Sequence, residues 1–226
     1  MNDLLETRQD SLLSYGDGKA PPAAVLRMGI MPQATKWDLF ALQGRMFTCK
    51  QTTIGTAIAG SAQAAGAIVL TAPTFRFTVP VGTTVFPRKL NLSFAAGAGT
   101  DNEIALIYTN TNSYTSGGTA VTPLNYRTDG PRATAVTNCF IAAGAAVVEA
   151  GLGDVRAIYQ DILPLAFTFA SSYTLQYKID KVWEDLMPVV GPASVLLFVV
   201  GATTTPTFYF SMDWAEIPTI SAVKAV

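Results

Sequence analysis

Two neighbouring stretches, Val195-Leu196-Leu197-Phe198-Val199-Val200-Gly201 and Phe208-Tyr209-Phe210-Ser211-Met212-Asp213-Trp214-Ala215, decide the fold. Val195 to Val200 is apolar at every position, so a strand there must be covered on both faces, in the centre of a sandwich or at a subunit contact. In the second stretch Phe208, Phe210, Met212 and Trp214 alternate with Tyr209, Ser211, Asp213 and Ala215. That period of two sends one set to a core and the other toward water. The apolar run from Ala193 to Ala202 reaches only half of the roughly 20 residues a membrane-spanning helix needs. It reads as a buried strand.

The same period recurs upstream. Phe75, Phe77 and Val79 alternate with Thr74, Arg76 and Thr78, and Leu90, Leu92 and Phe94 alternate with Asn91 and Ser93. Tyr173, Leu175, Tyr177 and Ile179 oppose Thr174, Gln176 and Lys178, and Leu165, Phe167 and Phe169 repeat the pattern. With Met46 to Thr52, Ile68 to Thr71, Glu103 to Thr109 and Thr134 to Ile141, this gives about nine short strands separated by turn residues, the spacing of an antiparallel sandwich or barrel. The expected class is all-β, an antiparallel two-sheet β-sandwich with an extended N-terminal arm. The arm spans residues 1–44, the sandwich 45–218 and a C-terminal tail 219–226.

Within the arm, Asp3 and Glu6 form a capping-box pattern, and Leu4, Leu5, Leu12 and Leu13 carry helical spacing, so a short amphipathic helix is expected over residues 3–14. Beyond it Gly16, Gly18, Pro21 and Pro22 break regular structure, and the apolar residues up to about Gln43 follow no clear period. An arm of this kind must lie on its own domain or on a neighbour. The side chains expected at a neighbour are Leu4, Leu5, Leu12, Leu13 and Trp37. Residues 54–66 are small and nearly uncharged, suited to lying flat against a surface. Residues 110–132 are rich in Asn, Thr, Ser and Gly and read as a surface loop without regular structure, with Tyr114 and Tyr126 as its contact side chains.

Composition bounds the function. Charged residues make up 14% of the chain, against roughly 25% in an ordinary soluble domain. The exterior must therefore be Thr, Ser, Asn and Gly, or be covered by other subunits. A net charge of -1 with scattered Lys and Arg argues against nucleic acid as a partner. The polar start at Met1-Asn2-Asp3 lacks the basic and apolar regions of a secretory signal. Cys49 and Cys139, far apart within apolar surroundings, read as buried thiols rather than as a disulfide framework.

Chemistry is hard to find. The chain has no histidine, which removes Ser-His-Asp and Cys-His catalysis and imidazole-bound zinc. No phosphate-binding Gly-rich motif is present, and Gly97-Ala98-Gly99 and Gly151-Leu152-Gly153 read as turns. Asp213 and Glu216 stand three apart, a spacing that sends them to opposite faces of a strand, and Asp180, Glu184 and Asp185 read as a solvated turn. Asp101, Asn102 and Glu103 lack the ligand series of a calcium loop. No catalytic residue, cofactor or metal is expected, and the chain reads as a non-enzyme.

The C-terminal strand pair, together with Ile68-Val69-Leu70-Thr71-Ala72-Pro73-Thr74 and Leu90-Asn91-Leu92-Ser93-Phe94, resembles jelly-roll virion structural proteins of bacteriophages, the capsid-associated cement or decoration type. The likeness covers about residues 65–218 and is one of pattern and composition. It implies a jelly-roll sandwich that stabilises a phage shell through subunit contacts. It also implies a homo-oligomer, with a trimer favoured, partnered by the major capsid or other virion proteins. The chain's place is then the virion, assembled in the host cytoplasm, without a membrane span. Two alternatives stand beside it: a shell-forming capsid protein, and a receptor- or carbohydrate-binding virion module that uses Tyr114 and Tyr126. A transmembrane barrel and an enzyme built on carboxylates fit the short, uneven strands and scattered acids less well.

Overall fold

A computed structural model describes residues 35–50, 56–62, 68–96, 102–129, 132–163, 178–201 and 205–219. The helix expected over residues 3–14, with Leu4, Leu5, Leu12 and Leu13, and the strand residues Leu165 to Tyr177 lie outside them. One helix, α1 (Lys36–Leu42), precedes β1 (Met46–Lys50), β2 (Ile58–Ala59), β3 (Ser61–Ala62), β4 (Phe75–Val79) and β5 (Thr83–Ala96). Then come β6 (Asn102–Thr109), β7 (Tyr114–Gly117), β8 (Thr119–Ala120), β9 (Leu124–Asn125), β10 (Thr137–Ile141) and β11 (Val147–Glu149). The chain continues through β12 (Val155–Leu163), β13 (Lys178–Val182), β14 (Val189–Val190), β15 (Ala193–Gly201) and β16 (Thr207–Pro218).

These strands form an all-β sandwich. One sheet runs in the order β13-β5-β16-β1-β9 and the other β12-β6-β15-β4-β10-β8, with β11 and β7 as a separate pair. The long strands pair antiparallel in a nested way: β1 with β16, β4 with β15, β5 with β13, and β6 with β12. Two further antiparallel pairings, β16 with β5 and β15 with β6, stitch these ribbons into the sheets.

The alternation read from sequence sets the core. Phe208, Phe210, Met212 and Trp214 of β16 all face inward, as do Leu90, Leu92 and Phe94 of β5. From the opposite sheet Phe77 stacks on Trp214 and Phe75 meets Phe210, each pair with ring centroids 4.9 Å apart. Burial of each such side chain is worth about 1.5 to 3 kcal/mol. The run Val195 to Val200 is buried at every position, as its composition requires. Val195, Leu197 and Val199 join the core between the sheets, whereas Leu196, Phe198 and Val200 meet Ala105 and Ile107 on the other side, beneath Ile68, Leu70 and Leu152.

Three expectations need correction. Ile68 to Thr71 is not a strand. Its backbone makes a turn, with the Ala72 N–H donating to Val69 O at 2.9 Å, and its apolar side chains lie across the outside of the β6–β15 sheet. Residues 110–132 are not a loop without regular structure, because they contain β7, β8 and β9. The turn between β7 and β8 needs left-handed backbone, which Gly117 and Gly118 supply at φ 83 and 78, and a Cβ on Gly117 would sit 2.0 Å from Ala146 O. Finally, Thr74, Arg76 and Thr78 do not face water, since the β7–β11 pair and its flanks cover that face of β4 and bury all three.

Helix α1 lies in the segment whose apolar residues follow no clear period, where no helix is expected from sequence. Thr35 caps it: the Asp38 N–H donates to Thr35 Oγ1 at 3.2 Å, and the Thr35 N–H donates back to Asp38 Oδ2 at 2.9 Å. The helix buries Trp37 against Met46, Phe86 and Ala215 on the outside of the β5–β16–β1 sheet.

Candidate functional site

The strand alternation that buries Met212 and Trp214 turns Ser211 and Asp213 to the outer face of β16. Antiparallel register places Asp213 between Lys89 of β5 and Thr48 of β1, and Ser211 between Asn91 and Lys50. Asp180 of β13 stands opposite Asn91. Paired residues share a face, so two polar rungs lie side by side across the sheet. Tyr126, just past β9, rises beside them, its N–H donating to Met46 O at 3.0 Å. Thr48, Lys50, Lys89, Asn91, Tyr126, Ser211 and Asp213 together line a depression of about 330 Å³.

Its electrostatics are mixed. Lys89 Nζ meets Asp180 Oδ1 at 3.1 Å, a half-exposed pair worth little to stability. Asn91 Nδ2 donates to Ser211 Oγ at 3.3 Å. The Tyr126 side chain is about half exposed, and partial burial of its phenol, then a hydrogen bond with Asp213 and the charge of that carboxylate, push it above its ordinary value. The buried oxygens Thr48 Oγ1 and Asn91 Oδ1 have no hydrogen-bond partner among the described residues. Ammonium donors, a carboxylate, an amide, hydroxyls and an aromatic ring beside one another suit a neutral ligand rich in hydroxyl groups.

Acid and base catalysis by Asp213 and Glu216 is not built here. Asp213 faces the depression, whereas Glu216 accepts hydrogen bonds from the Trp214 Nε1–H at 2.9 Å and the Ala135 N–H at 2.7 Å, and from the Thr134 hydroxyl. Glu216 thus fastens the segment before β10 to the core. The three-residue spacing separates the two carboxylates, as the sequence indicated.

The other sheet carries a buried polar cluster. Arg76 Nε lies 2.8 Å from Glu149 Oε1, with both side chains fully buried. Arg76 Nη2 donates to Ser194 Oγ at 2.8 Å, and Ser113 Oγ donates to Glu149 Oε2 at 2.6 Å. The guanidinium carbon stands 4.8 Å from the centre of the Tyr114 ring, which stacks on Phe140 at 4.7 Å. Burial pushes the Arg76 value down and the Glu149 value up, each against the opposing pull of its partner's charge. The Arg76–Glu149 contact is an ion contact without hydrogen-bond alignment, and Arg76 Nη1 has no partner among the described residues.

The structure therefore separates the residues singled out from sequence. Tyr114 is clamped over the β4 side of the sandwich, its hydroxyl donating to Gly117 O at 3.0 Å. Its ring faces are occupied, so it is no ligand platform. Tyr126 stands on the opposite sheet, exposed at the depression. Trp37 packs in its own domain at 3% exposure, with the Arg88 guanidinium 4.9 Å over its ring, rather than at a free surface. Reasoning from sequence missed Thr48, Lys50, Lys89, Asn91, Ser211 and Asp213 as a group. Their only local signal is the outward half of each alternation, and the register that unites them is long range.

Two sheet ends complete the surface. β12 and β13 end their sheets among the described residues. Val155, Ile162, Val182 and Leu186 are exposed on or just beyond these strands. Tyr159 and Trp183 meet edge to face at 6.3 Å between the two ends. No family model, curated protein or solved structure matches this chain.

Proposed function

We propose that this chain is a non-enzymatic virion structural subunit of jelly-roll type, a capsid cement, decoration or minor capsid protein that stabilises a phage shell through contacts between subunits. The observation that carries the reading is the nested pairing of β1 with β16, β4 with β15, β5 with β13 and β6 with β12. Such nesting is what a long antiparallel hairpin gives when it is rolled into two facing sheets, the jelly-roll plan on which viral capsid and lectin domains are built. The low charge of the chain and the apolar side chains exposed along β12 and β13 support burial of these ends by further copies. The reading takes the chain to be a homo-oligomer, with a trimer favoured, seated on a major capsid protein. Light scattering on the purified chain tests it. A multiple of the 23.9 kDa subunit mass that also binds shells is expected, and a persistent monomer that ignores them overturns the proposal.

A second reading, a receptor- or carbohydrate-binding virion module, is favoured by the depression beside Tyr126. Tyr126→Ala then abolishes binding on a glycan array while particle assembly continues. Loss of assembly with glycan binding intact favours the cement role instead.

A further inference from the structure

Cys49 of β1 and Cys139 of β10 belong to opposite sheets and stand 90 positions apart in sequence, yet their sulfur atoms lie 3.8 Å apart in the core. Both are free thiols, Cys49 at 1% exposure and Cys139 at 8%. At that separation no atom fits between the sulfurs. A disulfide bond of about 2 Å requires them to approach by on the order of 2 Å in total. Sandwich folds accept such links, since a bridge between the two sheets is a regular feature of immunoglobulin domains.

The two thiols are not equivalent. Cys139 sits on β10, paired with β4, and Arg76 of β4 places its positive charge close enough to favour a Cys139 thiolate. Contact with Cys49 and burial act more strongly in the other direction and hold Cys139 protonated at neutral pH. Reaction is therefore slow, and Cys139, at 8% exposure, is the thiol of the pair that an oxidant can reach. Cys49, at 1% exposure, has Cys139 as its reaction partner.

We propose that Cys49 and Cys139 form an oxidation site, at which a small peroxide converts the pair into a disulfide tying β1 of one sheet to β10 of the other. Cys139 sulfur attacks one oxygen of hydrogen peroxide, the O–O bond breaks, and the departing hydroxide takes up the thiol proton as water. The sulfur is oxidised by two electrons to sulfenic acid and the peroxide is reduced. Cys49 sulfur then attacks Cys139 sulfur, the S–O bond breaks, and the hydroxyl leaves with the Cys49 proton as a second water. Two thiols and one peroxide give one disulfide and two waters. The link closes a loop that contains β1 to β10 and so restricts the unfolded chain strongly. On the virion reading, a subunit folded in a reducing cytoplasm acquires the link after release, because virion surfaces meet an oxidising exterior. The chemistry itself stands apart from that reading.

The test treats the full-length folded protein with hydrogen peroxide, quenches it, and alkylates it under denaturing conditions before intact and peptide mass analysis. The expected product is two hydrogens lighter, takes no alkyl groups, and yields a Cys49 peptide joined to a Cys139 peptide. Its melting temperature rises by about 10 °C and returns on reduction. Cys49→Ala should instead leave a Cys139 sulfenic acid that a dimedone probe captures, without the rise. Full alkylation of both thiols after treatment, oxidation of each to sulfinic acid, or links only between chains would each overturn the proposal. If the alanine variant does not fold, the masses from the unaltered chain still decide.

Discussion

The two outer faces of the sandwich are written in the same alternating pattern and end in opposite states. On β16, Ser211 and Asp213 alternate with core residues and line an open polar depression. On β4, Thr74, Arg76 and Thr78 alternate with core residues just as regularly, and all three are buried. The cause lies far away in sequence, in the β7–β11 pair, which lays Ser113, Tyr114 and Glu149 over β4. A polar half of a strand therefore has two fates. Where a second layer supplies partners it becomes an internal network, and where none arrives among the described residues it lines a depression.

The largest way to break this contrast is to remove the charge that holds the second layer. Arg76→Met leaves Glu149 buried without its cation, and a loss of about 3 to 5 kcal/mol is expected for breaking a fully buried pair from one side. Chemical unfolding measures it. The double variant Arg76→Met with Glu149→Leu recovers most of that loss, since a pair of apolar groups of similar volume needs no desolvated charge. If the double variant is as unstable as the single one, the network holds the layer through something other than its own electrostatics.

Next in size is a place where the depression's own sheet carries a cover. Trp37 of α1 fills the site formed by Met46, Phe86 and Ala215. Trp37→Ala should cost about 3 kcal/mol of unfolding free energy, the lower end for an aromatic truncation at a site that can partly collapse. The same change leaves oligomer mass unaltered, because the ring packs within its own domain. A shift in oligomeric state at constant stability would place Trp37 in a neighbour's contact instead.

How much of this was legible follows from the range of the forces involved. Phe208 to Ala215, Phe75 to Val79 and Leu90 to Phe94 declare their core faces because the core is wide and each strand carries several matching positions. Arg76 and Asp213 read alike, since period two separates the halves of a strand without saying what covers either half. β8 and β9 span two residues each and have no period to read. Thr35 and Asp38 carry a capping-box spacing, a local signal set in a segment whose apolar residues follow no period. The Cys49 and Cys139 contact depends on pairings of β1 and β10 with different sheets, which no local signal encodes.

The smallest effect gives the sharpest view of the open face. The Tyr126 phenol is raised above its reference of 10.0 by burial first and by Asp213 second. A raised folded value favours the neutral ring, so its contribution to stability is complete below about pH 10, the unfolded value, and fades as pH climbs through the folded one. Asp213→Asn removes the carboxylate and should bring the Tyr126 titration part of the way down, while burial keeps it above the reference. Asp213 is itself largely buried, so folding stability should fall by about 0.5 to 1.5 kcal/mol, the usual size for one weakened hydrogen bond. Tyrosinate absorbance against pH reads the shift, and subtraction of a Tyr126→Phe variant separates it from Tyr159, which its own burial and Asp161 push up to about 12. An unmoved titration would mean that Tyr126 and Asp213 do not share the depression, and the open face would then lose the pair of groups that distinguishes it from an ordinary wet strand surface.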